Sequence, residues 1–336
     1  MTTTDFAELH DDLRAVAADV LGRGRAVDWP TIADAGWVGL EVPEAFGGAG
    51  ATFAEVAVVC EELGRAAVAA DYLGSAVLTV GVLNTLQHSA VRDRLLTDVT
   101  AGTTRAATVM GDFTLAADGR LSGRADFVPD ADGADLLLVL ATDHTGAEVA
   151  VATDLLAVTA QPVLDQTRRV ATVTAEGVQV AEPLSFTGNP RSVQNRAAVA
   201  VACDSLGLAE AMLAATVSYA QTRHQFGRPI GSFQAVKHAC ADMLVTVSVA
   251  RALVREAVDA VATTGFDGSE ADVAVAMAKS YACGGAVEVV GKALQLHGGI
   301  GYTWESGIHV YLKRAVFNRS LFGSPAAHRR HLAQRY

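Results

Sequence analysis

The sequence predicts an α+β fold: an N-terminal helical domain, a middle, mostly antiparallel β domain and a C-terminal domain of long helices. Three observations carry that prediction. Apolar residues recur at helical spacing up to about residue 102 and again from 189 onward. Between these stretches, apolar runs of four to six residues alternate with turn signals such as Asp118-Gly119. No internal repeat or low-complexity linker interrupts the order. The expected domains are therefore residues 1–102, 103–188 and 189–336.

Taken in order, Asp5–Leu21 places Phe6, Leu9, Leu13, Val16 and Val20 on one helical face. Phe46-Gly47-Gly48-Ala49-Gly50 is a flexible turn permitted by its glycines. Thr52 is an N-cap with Glu55 three residues on, the pattern of a capping box. That helix runs to Arg65, and helical segments continue to about Leu96. The expected strand runs are Ala106–Met110, Ala125–Val128, Leu136–Leu140, Glu148–Ala152, Val170–Val173 and Val178–Val180, with Glu176-Gly177 read as a turn. Leu208, Met212, Ala215 and Tyr219 share a face of the next helix. It breaks at Gly227 and Pro229, and a longer helix follows with Phe233, Val236, Cys240, Met243, Val247, Ala250 and Val254 in register. The break, Arg-His-Gln-Phe-Gly-Arg-Pro, is a knuckle whose arginines and backbone N–H groups suit a phosphate-bearing ligand. Its other reading is a helix–loop–helix with solvated arginines. The stretch from Gln295 to Glu305 contains His297-Gly298-Gly299-Ile300-Gly301 at a helix end. Such glycines either cap the helix or let a backbone or flat ligand come close.

Composition sets the outer limits. A chain of 336 residues can bury two or three substantial cores. At 51% hydrophobic and 19% charged it is globular. A net charge of −11 argues against a nucleic-acid partner, because phosphate backbones are bound by clustered Lys and Arg. Cys60, Cys203, Cys240 and Cys283 lie far apart in apolar helical contexts, and are expected reduced and buried in a cytoplasmic protein. His224, His238, His297 and His309 show no metal spacing, so no metal is expected. The N-terminus lacks signal-peptide regions, and no uncharged run approaches about 18 apolar residues, so no membrane span is expected.

Together the motifs resemble the acyl-CoA dehydrogenase family. They are Gly36–Gly50, Glu61-Glu62-Leu63-Gly64-Arg65, Arg168-Arg169-Val170-Ala171, the Arg223–Gln234 knuckle and Gln295–Glu305, in family order over nearly the whole chain. The resemblance implies that the C-terminal helices form a four-helix bundle (acyl-CoA dehydrogenase fold), and it implies FAD, an acyl-CoA substrate and a dimer of dimers in which each FAD lies across a subunit interface. It gives Arg223, Phe226 and Gly227 to the pyrophosphate and dinucleotide portion of a neighbour's FAD. It gives Gln295, Gly298 and Gly299 to the adenosine end, and allows Ser324 to replace a family hydroxyl.

The same resemblance exposes losses. Most members carry the catalytic Glu beside a Gly, where this chain has Phe322, 27 residues after Gln295. A phenyl ring accepts no proton. The alternative family position falls at Ala197, again without a carboxylate. The flavin-side strand keeps an aromatic at Phe127, but Pro129 offers no hydroxyl or N–H. Ala107–Phe113 stands where members carry a Thr-Glu-Pro-type segment, and Ala326 where they carry a polar FAD contact. Residues reaching toward a neighbour's FAD persist, and those building the chain's own site do not. The expectation is an α2β2 heterotetramer of fatty acid or steroid catabolism. This chain would complete the FAD site of a second subunit that holds the base. The main alternative is an active homomeric enzyme with a relocated base, for which Asp204 and Glu210 are the candidates and Glu305 a structural residue. A flavin monooxygenase or oxidase on the same fold is a further alternative.

Overall fold

The computed structural model describes residues 3–190 and 192–335. The chain forms two compact units. One comprises Ala26–Val56 and Ala69–Ala197. The other comprises Met1–Arg25, Ala57–Val68 and Ala198–Tyr336. The overall class is α+β, with N-terminal helices, a middle sheet and C-terminal helices.

The N-terminal helices are α1 (Thr3–Leu21), α2 (Trp29–Asp34) and α3 (Phe53–Ala66), then a π-helical run Leu73–Thr79 that continues as α4 (Val80–Thr85), and α5 (Ala90–Thr100). The capping box at α3 forms as expected. Thr52 N donates to Glu55 Oε2 at 2.8 Å, and Ala54 N donates to Thr52 Oγ1 at 3.2 Å. The face expected on α1 does not hold. Ala17 and Leu21 are buried, whereas Leu9 is 43% and Val16 53% exposed. The apolar period offers two overlapping stripes, and the one through Ala17 and Leu21 is the one that packing buries. The side chain of Phe6 lies outside the described residues.

The sheet contains β1 (Ala106–Val109), β2 (Asp112–Leu115), β3 (Arg120–Pro129), β4 (Leu136–Asp143), β5 (Glu148–Thr153), β6 (Ala157–Ala160), β7 (Val170–Gln179) and β8 (Leu184–Ser185). Its order is β6-β7-β3-β2-β4-β5-β8, with β1 also paired to β4. The β1–β4 and β2–β4 pairs are parallel and the others antiparallel. Asp118-Gly119 joins β2 to β3 as expected, setting Leu115 opposite Leu121. Val109, Leu121, Leu137, Val139, Val151 and Val173 form the heart of its core, each contributing roughly 1.5–3 kcal/mol by burial. Glu176-Gly177 is not a turn. β7 passes straight through it, with Gly177 in a left-handed conformation (φ +65°) inside the strand. An irregularity between Ala125 and Val128 bulges Asp126 and Phe127 out of β3.

The helical unit contains α6 (Ser192–Thr222), α7 (Gln234–Thr264), α8 (Ser269–His297), α9 (Ile308–Ser320) and α10 (Pro325–Ala333), apart from the first turn of α6. Two glycines explain the Glu61–Arg65 motif. A Cβ on Gly64 would lie 1.9 Å from Asp204 O, and one on Gly207 would lie 1.9 Å from Glu61 O. Helices α3 and α6 therefore cross backbone to backbone. On α6 the buried row is Leu208, Met212, Thr216 and Ala220, and Ala215 is exposed, contrary to the expected face. Thr216 can be buried because its hydroxyl donates to Met212 O at 2.6 Å. On α7 the expected face is buried only from Met243 onward. Phe233, Val236 and Cys240 are half-buried, so Cys240 departs from the other three cysteines. By length and composition alone, α6 and the stretch Ser269–Tyr302 are apolar enough to cross a membrane. Their apolar windows are 78% and 67% buried in the protein, as core helices are.

Candidate functional site

The knuckle is more ordered than a loop. α6 ends with Arg223 N donating to Tyr219 O at 2.8 Å. Two-residue strands β9 (His224–Gln225) and β10 (Arg228–Pro229) then pair antiparallel. Phe226 (φ +52°) and Gly227 (φ +78°) are the central pair of this hairpin, as a type I′ turn requires. Glycine adopts that conformation freely, but a phenylalanine there costs of order 1–3 kcal/mol. Phe226 is 91% exposed, its ring meeting that of Phe233 edge-on at 6.1 Å, while the Arg228 guanidinium lies over the Phe233 ring at 4.1 Å. Ile230 N closes the knuckle onto Arg223 O at 2.8 Å, and the Arg223 side chain faces solvent. A strained turn thus presents a phenyl ring and a guanidinium outward.

The glycine loop lies at the same end of the unit. Gly298 (φ +62°) ends α8, and Gly298–Tyr302 form a short 3-10 helix. Gln295, Gly298 and Gly299 are exposed, and a Cβ on Gly299 would meet nothing within 4 Å. The ring of Tyr219, near the end of α6, stacks on His297 at 4.3 Å, and its hydroxyl donates to His297 O at 3.4 Å. That contact ties the ends of α6 and α8 together. Six of the seven cofactor candidates (Arg223, Phe226, Gly227, Gln295, Gly298 and Gly299) therefore share one end.

Ser324 does not join them. It follows α9 in a turn with Phe322 (φ +54°) and Gly323 (φ +97°), and its Oγ caps α10 by accepting from Ala327 N at 3.2 Å. Lys279 Nζ donates to Gly323 O at 3.0 Å, which anchors the turn to the first half of α8. Lys279 and His297 are 18 residues apart on one helix, or about 27 Å at 1.5 Å per residue. Phe322, the position expected for a base, shares this distant end.

The candidate relocated bases are engaged elsewhere. Asp204 is buried and accepts from Arg314 Nε at 3.0 Å, Arg314 Nη2 at 2.5 Å and Asn318 Nδ2 at 2.6 Å. Glu210 is held between Arg65 and Arg251, the latter donating from Nε at 2.8 Å, on the wall of a cleft of about 550 Å³ with Leu213, Val217 and Val247. Carboxylates so clamped are poorly placed to leave their partners for a substrate proton. Glu305 is exposed. Ala197 is fully buried, and its neighbour Arg196 pairs with Glu41 while donating to Val77 O at 2.6 Å.

Two carboxylates with shifted acidity went unrecognised in the sequence. Burial pushes Glu61 up to about 7, and it pushes Asp130 up to about 7 as well. Asp130 stands in a left-handed conformation (φ +60°) with Oδ2 accepting from Gly74 N at 2.6 Å. The turn-forming character of Asp after Pro129 was the available signal. Phe127 on the β3 bulge is half-exposed, and its N–H is taken by Gln161 Oε1 at 2.6 Å.

Known proteins agree with this architecture. The profile of the acyl-CoA dehydrogenase N-terminal domain matches residues 2–103, and that of the C-terminal domain matches residues 191–336. Acyl-CoA dehydrogenase IpdE2 of Mycolicibacterium smegmatis is 34% identical over 297 residues, covering 88% of this chain and 83% of its own. The steroid ACAD variant Tcur3481-Tcur3483 superposes with a TM-score of 0.86 at 28% identity, covering 98% of this chain and 97% of its own. A chain of the ChsE4-ChsE5 complex from Mycobacterium tuberculosis gives 0.87 at 25% identity, with 99% and 97% covered. The fold, the two domain matches and these relatives place the chain in the acyl-CoA dehydrogenase family of oxidoreductases.

Proposed function

We propose that this chain is the non-catalytic subunit of a cytoplasmic, FAD-dependent acyl-CoA dehydrogenase, an α2β2 heterotetramer of fatty acid or steroid catabolism. It has no base of its own and completes the FAD site of a second subunit. The observation that carries this reading is the one-sided loss. The knuckle and glycine loop form a pre-shaped exposed end, while the turn at the other end keeps its shape and carries Phe322. Two structural neighbours, ChsE4-ChsE5 and Tcur3481-Tcur3483, are each a pair of proteins, which supports a two-subunit assembly.

The residues present fit FAD at the knuckle end. Arg223 is exposed and can donate two hydrogen bonds to a phosphate. Phe226 offers an exposed ring to pack on the cofactor, held in place by the Gly227 turn. Gln295 supplies an amide, and the open face of Gly298 and Gly299 admits the adenosine end. FAD held there would supply the acceptor for a hydride from the substrate β-carbon. The α-proton needs a carboxylate within hydrogen-bond reach, which the partner would supply. Ser324, at the other end, would belong to this chain's own vacated site.

The test is expression of the chain alone and with its candidate partner, reading FAD occupancy and acyl-CoA oxidation. The expected result is activity only in the complex. Full FAD occupancy and turnover by the lone chain would defeat the reading. Turnover created by Phe322→Glu in the lone chain would show that only the base was missing.

A further inference from the structure

Lys279 has a fully buried side chain. Its Nζ donates to Asn318 O at 2.9 Å and to Gly323 O at 3.0 Å. Among the described residues no carboxylate forms an ion pair with it; the Cys283 thiol is its other polar neighbour. An ammonium buried without a counter-ion is costly, and burial holds the Lys279 pKa below its ordinary value. An ordinary helix end needs no such device, because water or a glycine cap satisfies its last carbonyls. The turn is also held from its other side, where His328 Nε2 lies 3.0 Å from Phe322 O. Carbonyls of Asn318, Phe322 and Gly323 are thus all engaged around two successive left-handed residues, one of them a phenylalanine. Such backbone persists only where its surroundings over-determine it.

We propose that Lys279 is the positioning residue of the turn Leu321–Ser324. It fixes the direction in which the side chain at position 322 is presented, and it does so although that side chain is now a phenyl ring. The role rests on the reading above that this turn is the substrate end. The order of the turn is measured without cofactor, substrate or partner, so the two readings fail separately.

The test uses the full chain with 4-fluorophenylalanine at position 322, read by fluorine NMR, together with amide hydrogen exchange. The intact chain should give one fluorine resonance. Lys279→Met should give a broadened or multiple signal, with amides of residues 321–327 exchanging at least about tenfold faster. Protection in α6 and α7 should hold, and the melting temperature should stay within about 4 °C, since Met fills the volume and removes a desolvated charge. An unchanged turn overturns the proposal, and so does a bundle that loosens as a whole. If Lys279→Met does not accumulate as folded protein, His328→Ala decides. With Lys279 in place the turn should keep its single resonance and most of its protection. A fully released turn in that variant would assign the positioning to His328 and overturn the proposal.

Discussion

The two ends of the helical unit are built on opposite principles. At the knuckle end the strained residue points outward. Phe226 is exposed, Arg223 faces solvent, and Gly299 stands open. At the Phe322 end the strained turn is clamped from within by Lys279 and His328. Both ends hold a phenylalanine in the left-handed region, so neither is relaxed surface. The contrast teaches that strain alone does not say what a segment serves. The strained turn at Phe226 leaves its ring exposed, whereas the strained turn at Phe322 has its carbonyls engaged from within. About 27 Å of α8 separates them, so the residues of one end can change without touching the other.

The largest expected effect removes the scaffold that carries both ends. Asp204→Ala strips Arg314 of its buried partner and should cost about 3–5 kcal/mol of stability. Denaturant unfolding followed at both ends should show them failing together. If only one end unfolds, the ends do not share a scaffold.

Acidity comes next, and it should belong to neither end. Glu61 and Asp130 have pKa values raised to about 7 in the folded chain, from 4.5 and 3.8. Each therefore stabilises fully at low pH and loses that contribution as pH rises through about 7. The span is on the order of 3 kcal/mol per group. Glu61→Gln and Asp130→Asn should each flatten stability measured between pH 4 and pH 8, and leave the complex's FAD retention alone. A stability profile that keeps its slope in both variants would place the titration elsewhere.

Third, Arg223→Ala should weaken FAD retention in the complex by about 10–100-fold, the worth of a charged hydrogen bond of roughly 1.5–3 kcal/mol. Fluorescence of released flavin measures it. Retention equal to that of the unmodified complex would remove the knuckle from the cofactor site. The smallest effect is the most diagnostic. Phe226→Asn relieves a left-handed phenylalanine, so the lone chain should gain about 1 kcal/mol while the complex holds FAD less well. If stability and flavin retention move in the same direction, the strain at Phe226 is not functional.

Much of this was legible in the residues. The Thr52–Glu55 box, the Asp118-Gly119 turn and the breaks at Gly227 and Gly298 are local signals, and each appears where the sequence places it. The failures were of another kind. Leu9 and Val16 satisfied the helical period yet face solvent, and Thr216 is buried where Ala215 was expected. Periodicity names an apolar stripe but not which neighbour covers it. Nothing local to Lys279 announces that its ammonium meets carbonyls about 40 residues downstream. Asp204 looked free to act as a base until Arg314, 110 residues away, closed on it.

The α–β–α order, the family motifs and the absence of a carboxylate at positions 322 and 197 are written in residue identity and spacing. These follow from short-range pattern and residue identity, which the chain carries with it wherever it folds. Long-range packing gathers six candidate cofactor residues at one end and leaves Ser324 at the other. It alone turned Asp204 and Glu210 into ion-pair partners and enclosed Lys279. The reason is physical: which groups meet across long stretches of chain depends on how helices pack, and packing is a property of surfaces that no local run of residues contains.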